Sequence, residues 1–480
     1  MSFDSIEFAA FSIAVVVVLN LLRGMAARLA AILVVNLVFI ASFVSAPEQA
    51  IPLAGFVAAG YAAVRVAPRV GARGLWPLIA AVVALFIWLK QYTIAGFLPS
   101  FDSFPYLTVG LSYILFRVLH LIVDANQGAL RPPGPLAYLA YLLFFLTFVS
   151  GPIQRYEDFA RQASEPALPR TVVVIDRAFN RIVLGLFLVA VVTQVTSYVF
   201  HHIEPRLYDG LSSGRFGAKL LVLYVGAAVG FLVHLYLNFV GYMHMVIGVG
   251  TLCGFALPEN FDRPYLSKNF LDFWSRWHIT LSNWFKFYIF NPTLKALAGR
   301  WGTPASMPYL GAVAFFVTFG IMGVWHGSTI VFVFYGLFLG LGVAINKLYQ
   351  VEMARRLGRQ SYRTLCRRFW YRRLSNAATI AYFAVALTCV WIPAGPAGAM
   401  ATPLGATLGA AAFLVITGGF VVAGPIIVGI AALWRRLPPL GDLGQGYAAP
   451  VAVGVKLFVV VVMIAMIDTG SAPEFVYKVF

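Results

Sequence analysis

The 480-residue chain is 61% hydrophobic and only 11% charged, less than half the share of about 25% found in soluble globular domains. That excludes a soluble enzyme and marks an all-α polytopic membrane protein, read as one integral domain with no soluble module. The net charge of +17 does not point to nucleic acid, because the basic residues cluster in short loops between apolar runs. There they act as topology signals and contacts to anionic lipid.

Runs long enough to cross a bilayer are expected near 8–22, 29–44, 51–66, 75–89, 136–150, 182–199 and 220–240, and again near 309–324, 330–345, 377–392, 406–433 and 451–467. Asp4 and Glu7 precede the first run with no basic residue before it, which is not the pattern of a cleavable signal peptide. Arg23 and Arg28 follow that run, so the positive-inside rule predicts an outward N-terminus and an inward first loop. Arg65, Arg69 and Arg73 mark an inner loop, while Glu48 and the stretch 91–105 fall outside. The densest basic run (Arg355, Arg356, Arg359, Arg363, Arg367, Arg368, Arg372 and Arg373) reads as a cytoplasmic surface helix on anionic lipid. Cys253, Cys366 and Cys389 have no metal-ligand spacing and read as free thiols, and no metal site is expected.

Three segments are not simple spans. Residues 104–126 mix Tyr113, Arg117, His120 and Asp124 into an apolar pattern, and 239–258 hold Gly241, Gly248, Gly250 and Gly254 with His244. The stretch 271–291 is aromatic-rich with charges. Broken or re-entrant backbone at membrane depth is tolerated only inside protein or along a watery cavity, so a site is expected within 104–341. No internal repeat of the kind seen in transporters is visible.

His326 lies in an apolar run, and an intramembrane histidine is a functional-site signal. Its ordinary pKa, near 6.5, suits a proton acceptor. The bland alternative is a buried histidine satisfied by a carbonyl. Gly323 and Gly327 flank Val324-Trp325-His326 and would let a helix or a substrate approach closely. If 271–291 is one helix, Trp274, Trp277, Leu281, Trp284 and Tyr288 share a face, Asp272, Arg276, Thr280 and Asn283 the opposite one, and His278 edges the aromatic side. That helix is either interfacial, with its aromatics at headgroup level, or a tunnel wall into which His278 points. Arg276 and Lys286 would then meet the phosphates of an acyl donor. His120, His234 and His244 read as hydrogen-bonding struts. Asp124 and Glu259 are expected to pair with nearby basic residues, and His201-His202 to sit in a loop or at an interface.

Five stretches together resemble the membrane-bound O-acyltransferase family. They are Val109-Gly110-Leu111-Ser112-Tyr113 with Phe116-Arg117 and Asp124; Ser150-Gly151-Pro152-Ile153-Gln154-Arg155-Tyr156; Gly241-Tyr242 through Gly254-Phe255 to Pro258-Glu259-Asn260-Phe261-Asp262-Arg263-Pro264-Tyr265; Asp272-Phe273-Trp274-Ser275-Arg276-Trp277-His278 with Ser282, Trp284 and Phe285; and Gly323-Val324-Trp325-His326-Gly327. Order and spacing fit over 104–346, the expected catalytic core. Residues 1–103 (N-terminal spans) and 347–480 (basic segment and C-terminal spans) match only in hydropathy. The likeness is to the bacterial branch that acetylates alginate or moves D-alanine to teichoic acid. The chain departs from the family pattern at Met243-His244-Met245 and at Lys286-Phe287.

The resemblance implies a ring of tilted helices around a tunnel, with re-entrant and interfacial helices. His326 and His278 would be the two catalytic histidines, and Trp325, Arg276, Trp277, Ser282, Asn283, Lys286 and Arg155 are further candidates for holding donor or substrate. It implies an acyl-CoA or a phosphopantetheinyl acyl-carrier protein as donor, with no permanently bound cofactor. It also implies a periplasmic or extracellular transfer partner, an envelope glycan or teichoic-acid-like acceptor, and a bacterial inner (plasma) membrane. Competing readings are a transporter or flippase, a non-catalytic scaffold of an envelope-modification complex, and a eukaryote-type acyltransferase of the same family.

Overall fold

The computed structural model describes residues 5–44, 46–92, 107–167 and 171–436. The expected run 451–467, most of the stretch 91–105, and Asp4 lie outside them. The described residues are helical with short turns, and they divide into two compact units: 5–187 with 241–259, and 188–240 with 260–436.

The first unit begins with α1 (Ile6–Leu21), α2 (Met25–Ala41), α3 (Ile51–Val66), α4 (Ala72–Leu89) and α5 (Leu107–Asn126). It continues through α6 (Pro135–Leu142), α7 (Phe145–Phe148), α8 (Tyr156–Ser164) and α9 (Val172–Phe187). Ser5 caps α1 by accepting the Phe8 amide at 3.2 Å. Arg28 is not a loop charge. It is buried, and it donates to the carbonyls of Leu19 and Cys253, acceptors left open near helix C-termini.

The expected span at 136–150 is instead two short helices, α6 and α7. The buried Asn36 amide accepts from the Phe145 N–H at 2.9 Å and donates to the Ala140 carbonyl at 3.0 Å. Arg117 donates to the carbonyls of Tyr141 (2.9 Å), Leu142 (2.7 Å) and Thr147 (2.5 Å). The interruption is thus satisfied by side chains, as buried backbone must be. Arg117 comes from α5, whose helix is unbroken despite its charged and polar residues, although α5 is not among the described helices long and apolar enough to cross a membrane.

The second unit contains α10 (Thr193–Ser212), most of α11 (Ala218–Leu252), α12 (Phe270–Trp274), α13 (Ile279–Phe285), α14 (Asn291–Trp301) and α15 (Met307–His326). It ends with α16 (Ile330–Leu357), α17 (Arg359–Arg367), α18 (Phe369–Ala386), α19 (Thr388–Trp391), α20 (Ala394–Met400) and α21 (Pro403–Arg436). Single π-helical turns join α9 to α10 (Leu188–Val192) and α13 to α14 (Lys286–Phe290). Gly241, Gly248 and Gly250 do not break α11. A Cβ at Gly248 would lie 2.6 Å from Ile182 Cγ1, so that glycine admits a neighbouring helix rather than bending its own. His201 and His202 lie on α10, not in a loop, and each bonds the carbonyl four residues back. The basic run closes α16, continues through α17, none of whose residues is buried, and enters α18 with Arg372 and Arg373.

Eight helices among the described residues are long and apolar enough to cross a membrane. Large apolar side chains such as Val222, Leu414 and Val422 are exposed on them, as expected of surfaces solvated by lipid. The protein is a multi-pass membrane protein.

Candidate active site

His326 ends α15, and α16 returns after Gly327-Ser328-Thr329. The two helices meet at glycines: a Cβ at Gly323 would lie 2.5 Å from Gly336 Cα. The close approach inferred from Gly323 is therefore made by the chain's own next helix. His326 is buried, its ring 4.7 Å from Trp325 and 5.6 Å from Tyr335, edge to face in both cases. Gly323→Val is expected to separate the pair and lower the thermal midpoint of the detergent-solubilised protein. An unchanged midpoint would contradict this packing.

His278 comes from a different construction. The stretch 271–291 is not one helix, so the shared aromatic face does not form. The chain stops at Trp274, passes through Ser275–Trp277, and restarts at Ile279 with His278 in the left-handed region (φ 46°, ψ 52°). Such a conformation costs a non-glycine residue roughly 1–3 kcal/mol and persists only when its surroundings fix it. Here they do. Phe261 pairs antiparallel with Trp277, the Asp262 N–H donates to the Arg276 carbonyl, and the Ile279 N–H donates to the Asn260 carbonyl, both at 2.9 Å. His278 is buried against Phe239, ring centroids 4.9 Å apart.

The two histidines, far apart in sequence, come within electrostatic reach of each other. Burial first, and then the proximity of His326, holds the His278 imidazole neutral well below the usual histidine range. Phe285 of α13 also meets Trp325 at 6.5 Å. Unfolded, His278 protonates near pH 6.5; folded, it does so only far lower. Acidification through that range therefore favours the unfolded chain. The thermal midpoint is expected to fall between about pH 7 and about pH 5 by more in the native protein than in His278→Asn, since asparagine tolerates the left-handed backbone. Parallel curves would contradict the buried neutral histidine.

The other candidates fall into distinct environments. Trp277 is buried among Phe273, Tyr236, Phe261 and Phe383, with centroid separations of 5.0–5.8 Å. Arg276 is ion-paired to Asp262 at 3.1 Å and to Asp272 at 3.2 Å. Its charge is already matched, which sets it apart from a cation held open for phosphate. Ser282 donates to the Trp277 carbonyl at 3.2 Å and secures the restart of the helix. Asn283 and Lys286 are exposed, Lys286 in the π-helical turn. Arg155 belongs to the first unit and pairs with Asp124 at 3.5 Å, and Glu259 pairs there with Arg181 at 2.6 Å. Both carboxylates thus have the basic partners expected of them. His234 meets the Thr196 hydroxyl at 3.0 Å, as a strut would.

Two buried amides were not singled out from sequence. Asn238, beside Phe239, and Asn260 are 2% and 0% exposed, and the Nδ2 of each has no hydrogen-bond partner among the described residues. Asparagines beside aromatics carry no distinctive sequence signal, and only the fold reveals an unsatisfied donor. The motifs also separate by role. Arg117 with Thr147, and Tyr242 donating to the carbonyls of Leu146 and Gly151 at 3.1 Å each, brace the first unit. The segment Asn260–Tyr265 and the two histidine motifs belong to the second.

Comparison with known proteins gives the same direction. A teichoic acid D-alanyltransferase of Streptococcus thermophilus is 32% identical over 50% of this chain and 56% of its own length. One of Bacillus subtilis is 30% identical over 58% and 69%. A probable alginate O-acetylase of Pseudomonas fluorescens is 28% identical over 58% and 54%. The chain thus spans between about half and two thirds of the length of these relatives. The family model for membrane-bound O-acyltransferases matches residues 75–388, which include both histidines and the segments that hold them, so the chain belongs to the membrane-bound O-acyltransferase (MBOAT) family.

Proposed function

We propose that the protein is a membrane-embedded O-acyltransferase that moves an acyl group from a cytoplasmic thioester to a hydroxyl of a cell-envelope polymer or of a relay protein. The observation that carries this reading is the pairing of two buried histidines, His278 and His326, within electrostatic reach in an aromatic setting. Family membership supports the reaction class, and the names of the relatives support an envelope acceptor.

The chemistry needs a base, stabilisation of a developing oxyanion, and exclusion of water. His326 takes the proton of the acceptor hydroxyl as its oxygen attacks the thioester carbonyl. The carbon–sulfur bond then breaks, and the sulfur leaves as a thiol with that proton. His278, fixed by its backbone pairing, hydrogen-bonds the carbonyl or orients the acceptor. Buried Trp325 and Trp277 keep water away, while Ser282 and the paired Arg276 hold the His278 segment in shape. The exposed Lys286 and Asn283 are available to the polar arm of a donor.

The donor is acetyl-CoA or an acyl group on the phosphopantetheine of a carrier protein, so the reading needs no resident cofactor. A tunnel through the bacterial plasma membrane would let a cytoplasmic donor meet an outward acceptor, and a periplasmic or extracellular partner would carry the group onward. The test supplies labelled acetyl-CoA and labelled D-alanyl carrier protein separately to the protein in nanodiscs with a hydroxyl acceptor. Ester formation from one donor, with release of its thiol, is expected. Transfer from neither would favour a transporter or scaffold.

A further inference from the structure

Asn260 stands directly across from His278 in the short ladder formed by the Phe261–Trp277 pairing. Three bonds tie it to the residues that follow His278. Its carbonyl accepts the Ile279 N–H at 2.9 Å, and its side-chain oxygen accepts the Thr280 N–H at 3.0 Å and the Thr280 hydroxyl at 2.9 Å. A backbone N–H can only donate, so the accepting atom is Oδ1 and the amide orientation is settled by chemistry. The Nδ2 group, with its two N–H donors, is therefore fixed in place. The residue is 0% exposed, and Nδ2 meets no acceptor among the described residues.

A buried donor without an acceptor carries its full desolvation penalty, and native proteins keep few of them. This one sits on a side chain held by two bonds through Oδ1, beside a histidine in a strained backbone conformation. A donor oriented in advance costs no reorganisation when charge develops nearby, which is the requirement for an oxyanion site.

We propose that Asn260 is a catalytic hydrogen-bond donor whose Nδ2 group meets the carbonyl oxygen of the bound thioester and strengthens that bond as the oxygen gains charge. This rests on the acyl-transfer reading of the His278–His326 site. Asn260 makes no covalent bond to the acyl group and exchanges no proton; its hydrogen bond lowers the energy of the tetrahedral intermediate formed by the hydroxyl attack.

The test has two parts. Asn260→Ala is expected to lower kcat by about 10²–10³-fold, as removal of one oxyanion donor does, with KM for the donor little changed. Thr280→Val loses the hydroxyl bond to the amide but keeps the donor, and is expected to retain most of kcat. The second part needs no change at Asn260. A thioester labelled at its carbonyl carbon, acetyl-CoA or the acyl carrier protein, is bound to His326→Ala protein and read by difference infrared spectroscopy. Its carbonyl stretch is expected at lower frequency than in free solution. An unshifted stretch, or native kcat in Asn260→Ala, overturns the assignment. Transfer that is lost in His326→Ala but native in Asn260→Ala overturns this inference alone, whereas no transfer by the native protein from either donor overturns the acyltransferase reading itself.

Discussion

His326→Ala is expected to reduce acyl transfer by about 10²–10⁴-fold, the range contributed by a positioned general base. The fold gives the substitution a clean readout. His326 is the last residue of α15, and that helix meets α16 backbone to backbone at Gly323, Gly336 and Gly340, with the imidazole adding an edge-to-face contact to Tyr335. Alanine therefore removes the proposed base and its contact to Tyr335 while keeping the glycine contacts of the helix pair. Donor affinity is expected to persist, because Lys286 and Asn283, the residues proposed to meet a donor, are exposed and lie outside α15. Equilibrium binding of labelled donor, measured beside turnover, separates lost chemistry from lost binding. Native turnover in the variant would remove His326 from the reaction.

The second large effect is structural. Arg117 is buried, and its guanidinium holds the carbonyls of Tyr141, Leu142 and Thr147, the Thr147 hydroxyl, and the face of Tyr141 at 5.5 Å. Methionine in its place fills much of the volume and donates nothing. The carbonyls of Leu142 and Thr147 would lose their donor while buried, at about 1–3 kcal/mol each, and that of Tyr141 would keep only backbone N–H groups such as that of Phe144 at 3.3 Å; the sum is a large share of the roughly 5–15 kcal/mol margin typical of folded domains. Arg117→Met is expected to yield little monodisperse protein on size-exclusion chromatography in detergent. Arg117→Lys, with one compact charge that cannot span the same acceptors, is expected to rescue only part of it. Recovery of native yield from the methionine variant would show that the α6–α7 interruption does not depend on this residue.

Most of the architecture was legible in the sequence because apolar length is a strong signal. Met307–His326, Ile330–Leu357 and Ala72–Leu89 lie close to where hydropathy puts them. The errors share a cause: each depended on a long-range bond that periodicity does not carry. The run 136–150 looks like a span until Arg117 and Asn36 take over its backbone groups. Residues 271–291 look like one amphipathic helix until 260–262 pair with 276–279. The glycines of α11 look like breaks until the packing of another helix explains them. Arg28 looks like a loop charge until the carbonyls of Leu19 and Cys253 account for it. His326 and His278 were visible because histidine in an apolar setting is conspicuous. Asn260 was not, because an asparagine becomes informative only when one of its donors is shown to lack an acceptor.

The central claim is that His278 and His326 act together on one acyl group. Single-turnover label transfer by the native protein, His326→Ala, His278→Asn and the double variant tests it most directly. Residues that serve one step are strongly non-additive. The double variant is therefore predicted to be about as slow as His326→Ala alone. If the two losses simply multiply, or if His278→Asn transfers at the native rate, the histidines do not form a single site and this account of the chemistry fails.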